Sequence, residues 1–400
     1  MTSSLIDSRA AWRRLFISLG FCTFGSIGFW SYVVALPAIQ ADFGITRAEA
    51  SLPYSVIMIC FGFGGVFMGA LMDRFGVLVP CLVSAVCIVA GYAFSAIAAN
   101  FTQFTLAMVL LGFGASTSFA PMLSDISYWF EKRRGLAVTI VSSGNYIAGT
   151  IWPTLIQSMI ESIGWRGTHD AIAAISLITL IPLAWALRAR PPEGSGSKAM
   201  PKPLRGEIAI PQKPLLVMLI AAGFTCCAAM AMPQVHLVAY CADLGYGPAR
   251  GAQIVSMTLA FGIISRIASG ALADRVGGLV TILIGTTMQA FALFLYTLFD
   301  GLTSIFLISA LFGLFQGGII PMYAVIVREY FPGSKAGSYI GLVIMATVLG
   351  MGFGGWMSGA IFDWTGSYRA AFFNGALWNL VNMAILALIL MRRRDVLKPA

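Results

Sequence analysis

The chain has 400 residues, of which 58% are hydrophobic and 10% charged, with a formal net charge of +9. Soluble globular chains carry about 25% charge, so this composition excludes a string of soluble domains and indicates a polytopic membrane protein. The basic excess does not point to nucleic acid, because Lys and Arg recur between apolar segments instead of forming one patch with interleaved aromatics.

Apolar runs of spanning length fall, in chain order, near residues 15–39, 52–72, 77–98, 102–126, 135–159 and 170–187. The first is long for a signal peptide and has no small-residue cleavage site after it, so it reads as helix 1. A stretch rich in proline, glycine, serine and charge, residues 188–213, follows and reads as a linker. Six further runs lie near 214–241, 250–272, 278–298, 302–327, 337–361 and 371–391. The expected architecture is therefore all-α, with twelve transmembrane helices in two six-helix bundles, 1–187 and 214–400, joined by the linker. The seven cysteines lie in or at the ends of apolar runs without metal-ligand spacing and read as small apolar packing residues. Neither a cofactor nor a metal is expected.

With both termini on one side, that side holds 20 of the 25 Lys and Arg residues, and the opposite side holds Arg47, Arg166, Arg250 and Arg369. The richer side is cytoplasmic by the positive-inside rule. The expectation is an integral protein of a bacterial inner membrane with both termini inside, surrounded by lipid and acting as a monomer. The remaining basic residue is Arg266, which stands inside an apolar run.

The two sets of six resemble each other. Residues 69–76 read GALMDRFG and residues 270–277 read GALADRVG, 201 positions apart at the second-to-third turn of each set. Phe130 and Phe331 keep the same offset. An internal repeat of six helices is the organisation of transporters that work by alternating access. The repeated turns resemble the signature of the major facilitator superfamily, G-x-L-x-D-R-x-G, present here with Asp73-Arg74 and Asp274-Arg275 and without the basic pair that usually follows. The resemblance implies a gating latch, in which a carboxylate caps a neighbouring helix and the arginine binds an acid. Asp125, near the inner end of helix 4, is the partner such an arginine has in that family.

Arg266 lies eight residues before Asp274, hence roughly 12 Å deeper at the rise of an α-helix, in a hydrocarbon core about 30 Å thick. Guanidinium keeps its proton and is expensive there. The position matching it in the first half is Gly65, so the arginine was not duplicated with the scaffold. Gly262 and Gly270 flank it one turn away on the same face, leaving room for a bulky group or allowing close packing on another helix. All the acids fall in loops or near helix ends of the assigned spans, so the expected counter-ion is the substrate, a carboxylate gripped by two parallel hydrogen bonds.

Within the superfamily, residues 28–55, 128–149 and 235–246, together with the helix 8 arginine, resemble the monocarboxylate and oxalate/formate porters. That resemblance assigns the substrate carboxylate to Arg266. The sequence departs from it in three places. Gly262 stands where animal members place an aspartate, helix 1 has no lysine, and helix 11 has no charge, which points away from oxalate. The superfamily pattern makes Tyr32, Asn145, Tyr146, His236, Gln316 and Tyr323 candidates for the cavity lining, and His236 a candidate proton relay. The expected function is secondary transport of small monocarboxylates such as lactate or pyruvate, with a proton as a candidate co-substrate. A proton-driven exporter of drugs or other organic solutes is the second reading, suggested by Gly144, Gly149 and Pro153 in helix 5. A sensor would need a longer soluble extension than the tail offers. No Ser-His-Asp, metal or phosphate-loop pattern indicates an enzyme.

Overall fold

The computed structural model describes residues 5–189 and 207–394; most of the expected linker, residues 190–206, lies outside the described residues. Among those described, eleven helical segments are apolar and long enough to cross a membrane. One of them, Arg134–Ala186, runs for 53 residues. At 1.5 Å per residue it would extend about 80 Å, far more than one bilayer needs. It turns at Gly164, whose φ of 71° and ψ of 169° lie outside helical space and suit only glycine. Two spans therefore share this segment, which accommodates the twelve expected crossings.

The first crossing is α1 (Arg9–Gly25) and α2 (Ile27–Phe43), interrupted at Ser26. It is followed by α3 (Arg47–Phe75), which begins on a capping box in which Thr46 and Glu49 satisfy each other's backbone N–H groups. Next come α4 (Leu78–Ala96) and α5 (Phe101–Ala115), the latter continued by α6 (Ala120–Ser127). The 53-residue segment comprises α7 (Arg134–Ser142) and α8 (Gly144–Ala186).

Beyond the linker stand α9 (Gln212–Asp243), α10 (Pro248–Val276) and α11 (Gly278–Leu298). The tenth crossing is split into α12 (Leu302–Gln316) and α13 (Ile319–Tyr330) by Gly317 and Gly318. The last two crossings are α14 (Gly333–Thr365) and α15 (Tyr368–Met391). A short antiparallel pair, β1 (Glu207–Ile208) with β2 (Arg393–Arg394), joins the residues before α9 to those after α15, which the hydropathy pattern does not foresee.

The duplication is visible in the geometry. Moving α3 by 201 residues gives α10, and moving α5 by 201 gives α12, end for end. Each repeated motif closes on a glycine with positive φ, 79° at Gly76 and 92° at Gly277, which stops the helix and turns the chain. The close approaches repeat as well. A side chain on Gly112 would strike the backbone carbonyl of Ile57, and one on Gly313 would strike that of Thr258, again 201 positions on. Glycine at these positions lets helix backbones touch, the main source of helix association where lipid removes the hydrophobic drive.

The chain forms two compact units. One holds the described residues through 189 together with Leu237–Ser256; the other holds residues 207–236 and those from Met257 onward. Large apolar side chains such as Phe63, Val66, Ile178, Ile267 and Leu307 are more than half exposed, as suits a protein bathed in hydrocarbon. All seven cysteines are free, and five are buried.

The glycine contacts make a direct prediction. Gly313→Val forces a branched side chain into the Thr258 backbone and should cost roughly 1–3 kcal/mol, seen as a lowered Tm of the detergent-purified protein. Gly65→Val should leave the Tm unchanged, because a Cβ there meets nothing within 4 Å.

Candidate substrate site

Arg266 sits on α10 with only 6% of its surface exposed. Its Nε donates to the carbonyl of Gly317, 3.2 Å away, at the break between α12 and α13. The preceding residue, Ser265, accepts the N–H of Gly318 on its Oγ at 3.2 Å. Two consecutive side chains of α10 thus hold the carbonyl and the N–H of one peptide group, the one that joins Gly317 to Gly318 in the broken helix. The glycines make this approach feasible. A Cβ on Gly317 would collide with the carbonyl of Gly262, and one on Gly318 with the side chain of Ser269. Of the two uses open to Gly262, the structure takes close packing, whereas a Cβ on Gly270 would meet nothing within 4 Å.

Gln316, one residue before this carbonyl, is fully buried, and its Oε1 accepts from Nε2 of Gln234 on α9 at 2.7 Å. Gln316 and Arg266 thus meet at the same helix break, and Gln234 joins them. Sequence reasoning passed over Gln234. The available signal was a lone amide in the apolar stretch AMPQVHLV, two residues before His236.

The other candidates of this unit face elsewhere. Tyr323 is fully buried and its hydroxyl accepts from Nδ2 of Asn382 at 2.9 Å, which also reaches the carbonyl of Ala222 at 2.7 Å. His236 is fully buried, with Nε2 2.8 Å from the carbonyl of Gly355 and Nδ1 3.0 Å from the hydroxyl of Tyr368. A carbonyl only accepts, so Nε2 carries the proton, and both ring nitrogens are engaged with α14 and α15.

In the first unit, Nε1 of Trp30 donates to both the backbone carbonyl and Oδ1 of Asn145 at 3.1 Å. The hydroxyl of Tyr32 donates to the carbonyl of Ala50 in the first turn of α3, so it serves the corner between α2 and α3. Tyr146 is buried on α8 beside Asn145. A histidine that the sequence reading did not single out, His169, is buried with Nδ1 2.7 Å from Oγ of Ser95 and its ring against Tyr92, Phe104 and Trp165.

The expected partner of Asp125 needs correcting. Asp125 is not held by Arg74. It is gripped from α1 by Arg14, Nε to Oδ2 at 2.7 Å and Nη2 to Oδ1 at 2.8 Å. The same guanidinium donates to the carbonyls of Ala189 at 3.0 Å and Leu187 at 3.2 Å, and lies 4.5 Å from the ring of Trp129. Arg14 takes the acid because it points inward from a buried helix face, whereas Arg74, like Asp73, is exposed at the end of α3, its guanidinium over the ring of Phe75. In the second unit Glu329 caps the start of α11, its two oxygens accepting the N–H of Gly278 at 3.2 Å. Asp274 and Arg275 are exposed beside it. Three further ion pairs join Arg47 with Asp243, Arg166 with Asp42 and Arg369 with Asp300.

A polytopic helical chain, duplicated at 201 residues, with an arginine buried against a broken helix, has the features of a secondary transporter. The comparisons place it further. The Major Facilitator Superfamily profile matches residues 15–309 and 269–400, and the chain belongs to that family. It is similar to Monocarboxylate transporter 13 of Bos taurus, 28% identical over 363 residues that cover 89% of this chain and 84% of the relative. It is also similar to the Agnestins efflux protein AgnL12 of Paecilomyces divaricatus, 26% identical over 80% of this chain and 74% of that protein. Among solved structures, a bacterial homologue of the human lysosomal transporter Spinster, inward-facing and occupied, superposes with a TM-score of 0.76 at 15% identity, covering 96% of this chain and 98% of its own. The chain is thus a transporter that resembles the monocarboxylate porters, and not an enzyme.

The Arg14–Asp125 pair is nearly solvent-free, at 5% and 3% side-chain exposure. Removing one partner, as in Arg14→Ala, strands a buried charge and should cost about 3–5 kcal/mol. Arg14→Leu with Asp125→Leu should recover most of that loss. Arg74→Ala should shift the Tm by little. Thermal unfolding of the three purified variants tests the order.

Proposed function

We propose that this transporter carries small monocarboxylates, with the substrate carboxylate bound by Arg266. The observation that carries the reading is a guanidinium buried in a membrane span whose direction is set by its Nε bond to Gly317. A planar fork so directed suits a carboxylate in two parallel hydrogen bonds, and intramembrane charges of this kind mark substrate paths. Similarity to Monocarboxylate transporter 13 supports the same substrate class. A site built on the Arg266 guanidinium would take one carboxylate per substrate.

Transport is proposed to proceed by alternating access with a proton as co-substrate. The engagement of both nitrogens of His236 favours a proton travelling with the acid over one relayed by that ring. Both termini are assigned to the cytoplasm by the charge asymmetry of the loops. The six-helix sets 1–187 and 214–400 are proposed as the two transport halves, supported by their 201-residue duplication, with Asp73, Arg74, Asp274 and Arg275 gating on the terminus-bearing side. Proton-coupled export of a drug or other organic solute is the second reading, favoured by the similarity to AgnL12.

Uptake of labelled lactate into proteoliposomes tests the main reading. Wild type should accumulate lactate, faster with an inward proton gradient. Arg266→Ala should lose roughly 10- to 100-fold, the scale of a charge-assisted hydrogen bond, and Arg266→Lys should recover part of that loss. Lactate uptake that survives Arg266→Ala would remove this residue from the site. Absence of uptake across a panel of short acids in wild type would favour export.

A further inference from the structure

The Gln234–Gln316 contact explains only half of the hydrogen-bonding groups it buries. Gln234 is 6% exposed and Gln316 fully buried. One N–H of Gln234 and the carbonyl of Gln316 satisfy each other at 2.7 Å. Oε1 of Gln234 and Nε2 of Gln316 find no hydrogen-bond partner among the described residues. The remainder does not depend on how the two amides are oriented. Turning both exchanges the roles of the two residues and still leaves one acceptor and one donor. Hydrocarbon offers nothing to either, and an unmade buried hydrogen bond is costly. A tie between helices accounts for the bond that is made and not for the two groups left over.

A hydroxyl answers both at once, since it donates one hydrogen bond and accepts another. A keto oxygen can only accept, and a methylene does neither. Gln316 adjoins Gly317, whose carbonyl holds Arg266, and consecutive Cα atoms are about 3.8 Å apart. Gln316, which holds Gln234, and the carbonyl that holds Arg266 therefore stand at neighbouring positions of one helix break, all within the second compact unit. In a 2-hydroxy acid the carboxylate and the hydroxyl stand on adjoining carbons.

We propose that Gln234 and Gln316 together form a specificity subsite beside Arg266 that selects 2-hydroxy monocarboxylates over 2-keto and unsubstituted acids of the same length. The hydroxyl donates to Oε1 of Gln234 and accepts from Nε2 of Gln316. This inference rests on the assignment of the carboxylate to Arg266. It adds a residue, Gln234, and a preference that the assignment alone does not contain.

The test is the ratio of L-lactate to propionate uptake, and of L-lactate to pyruvate uptake, in proteoliposomes of wild type, Gln234→Leu, Gln316→Leu, the double variant and Arg266→Ala. Each ratio is measured within one preparation, so differences in the amount of folded protein cancel. Gln234→Met, closer in length, replaces Gln234→Leu if the latter does not insert. Wild type should favour lactate by roughly tenfold, the loss expected from one unmade buried hydrogen bond. Either single variant should bring the ratio near unity, and the double should go no further, because the pair acts as one unit. If the glutamines only join helices, uptake of all three acids will fall together with the ratios unchanged, and the inference is overturned. If Arg266→Ala abolishes uptake of every acid while the glutamine variants keep the wild-type ratio, the carboxylate assignment stands and only this inference fails. If Arg266→Ala leaves uptake intact, or wild type moves none of the three acids, the carboxylate assignment fails and takes the inference with it.

Discussion

In lipid, a backbone carbonyl released by its own helix must find a donor within the protein, and at Gly317 that donor is Arg266. Much of the second unit is arranged around this bond. The carbonyl is free because the helix is interrupted at Gly317 and Gly318 between α12 and α13. The arginine reaches it because α10 and the interruption pack backbone to backbone, Gly262 against Gly317, with no side chain between them. The charge is thereby held at depth in a fixed direction, and the functional reading follows from that direction.

The two units spend their buried charge differently although the 201-residue repeat runs through both. The matching positions of Arg14 and Asp125 in the second unit are Leu215 and Ile326, and the position matching Arg266 in the first is Gly65. In the first unit a complete ion pair is sealed inside, with the leftover N–H groups of Arg14 placed on the carbonyls that end the sixth crossing. Such a closed arrangement has nothing left to offer a ligand. In the second unit the buried cation lies against an uncharged carbonyl and beside a half-satisfied amide pair. Close packing at Gly112 and Gly313 was kept through the duplication, while the charged groups were free to diverge.

Most of the architecture was legible in the residues. The number and order of the crossings, the duplication and the interest of Arg266 can all be read along the chain, because a span declares itself by local hydropathy and a repeat by local identity. The site was legible only in part. Arg266 and Gln316 were both singled out and do meet at one break, while Tyr32, Tyr323 and His236 spend their polar atoms on fixed partners of their own units. Asp125 was noticed and given the wrong partner. Arg14, which takes it, lies within α1 and points inward. Neither Gln234 nor Glu329 carries a role that its local sequence reveals.

What the sequence determined by itself is whatever depends on neighbours along the chain. That includes twelve apolar runs, the glycines that end the repeated motifs, and a cation too deep in a span to be accidental. What only the tertiary structure decided is which polar group answers which. Arg14 is 111 residues from Asp125, Gln234 is 82 from Gln316, and Arg266 is 51 from Gly317. Pairing at such separations depends on which faces of the helices meet and how closely the glycines let them come, and no window along the chain contains that information.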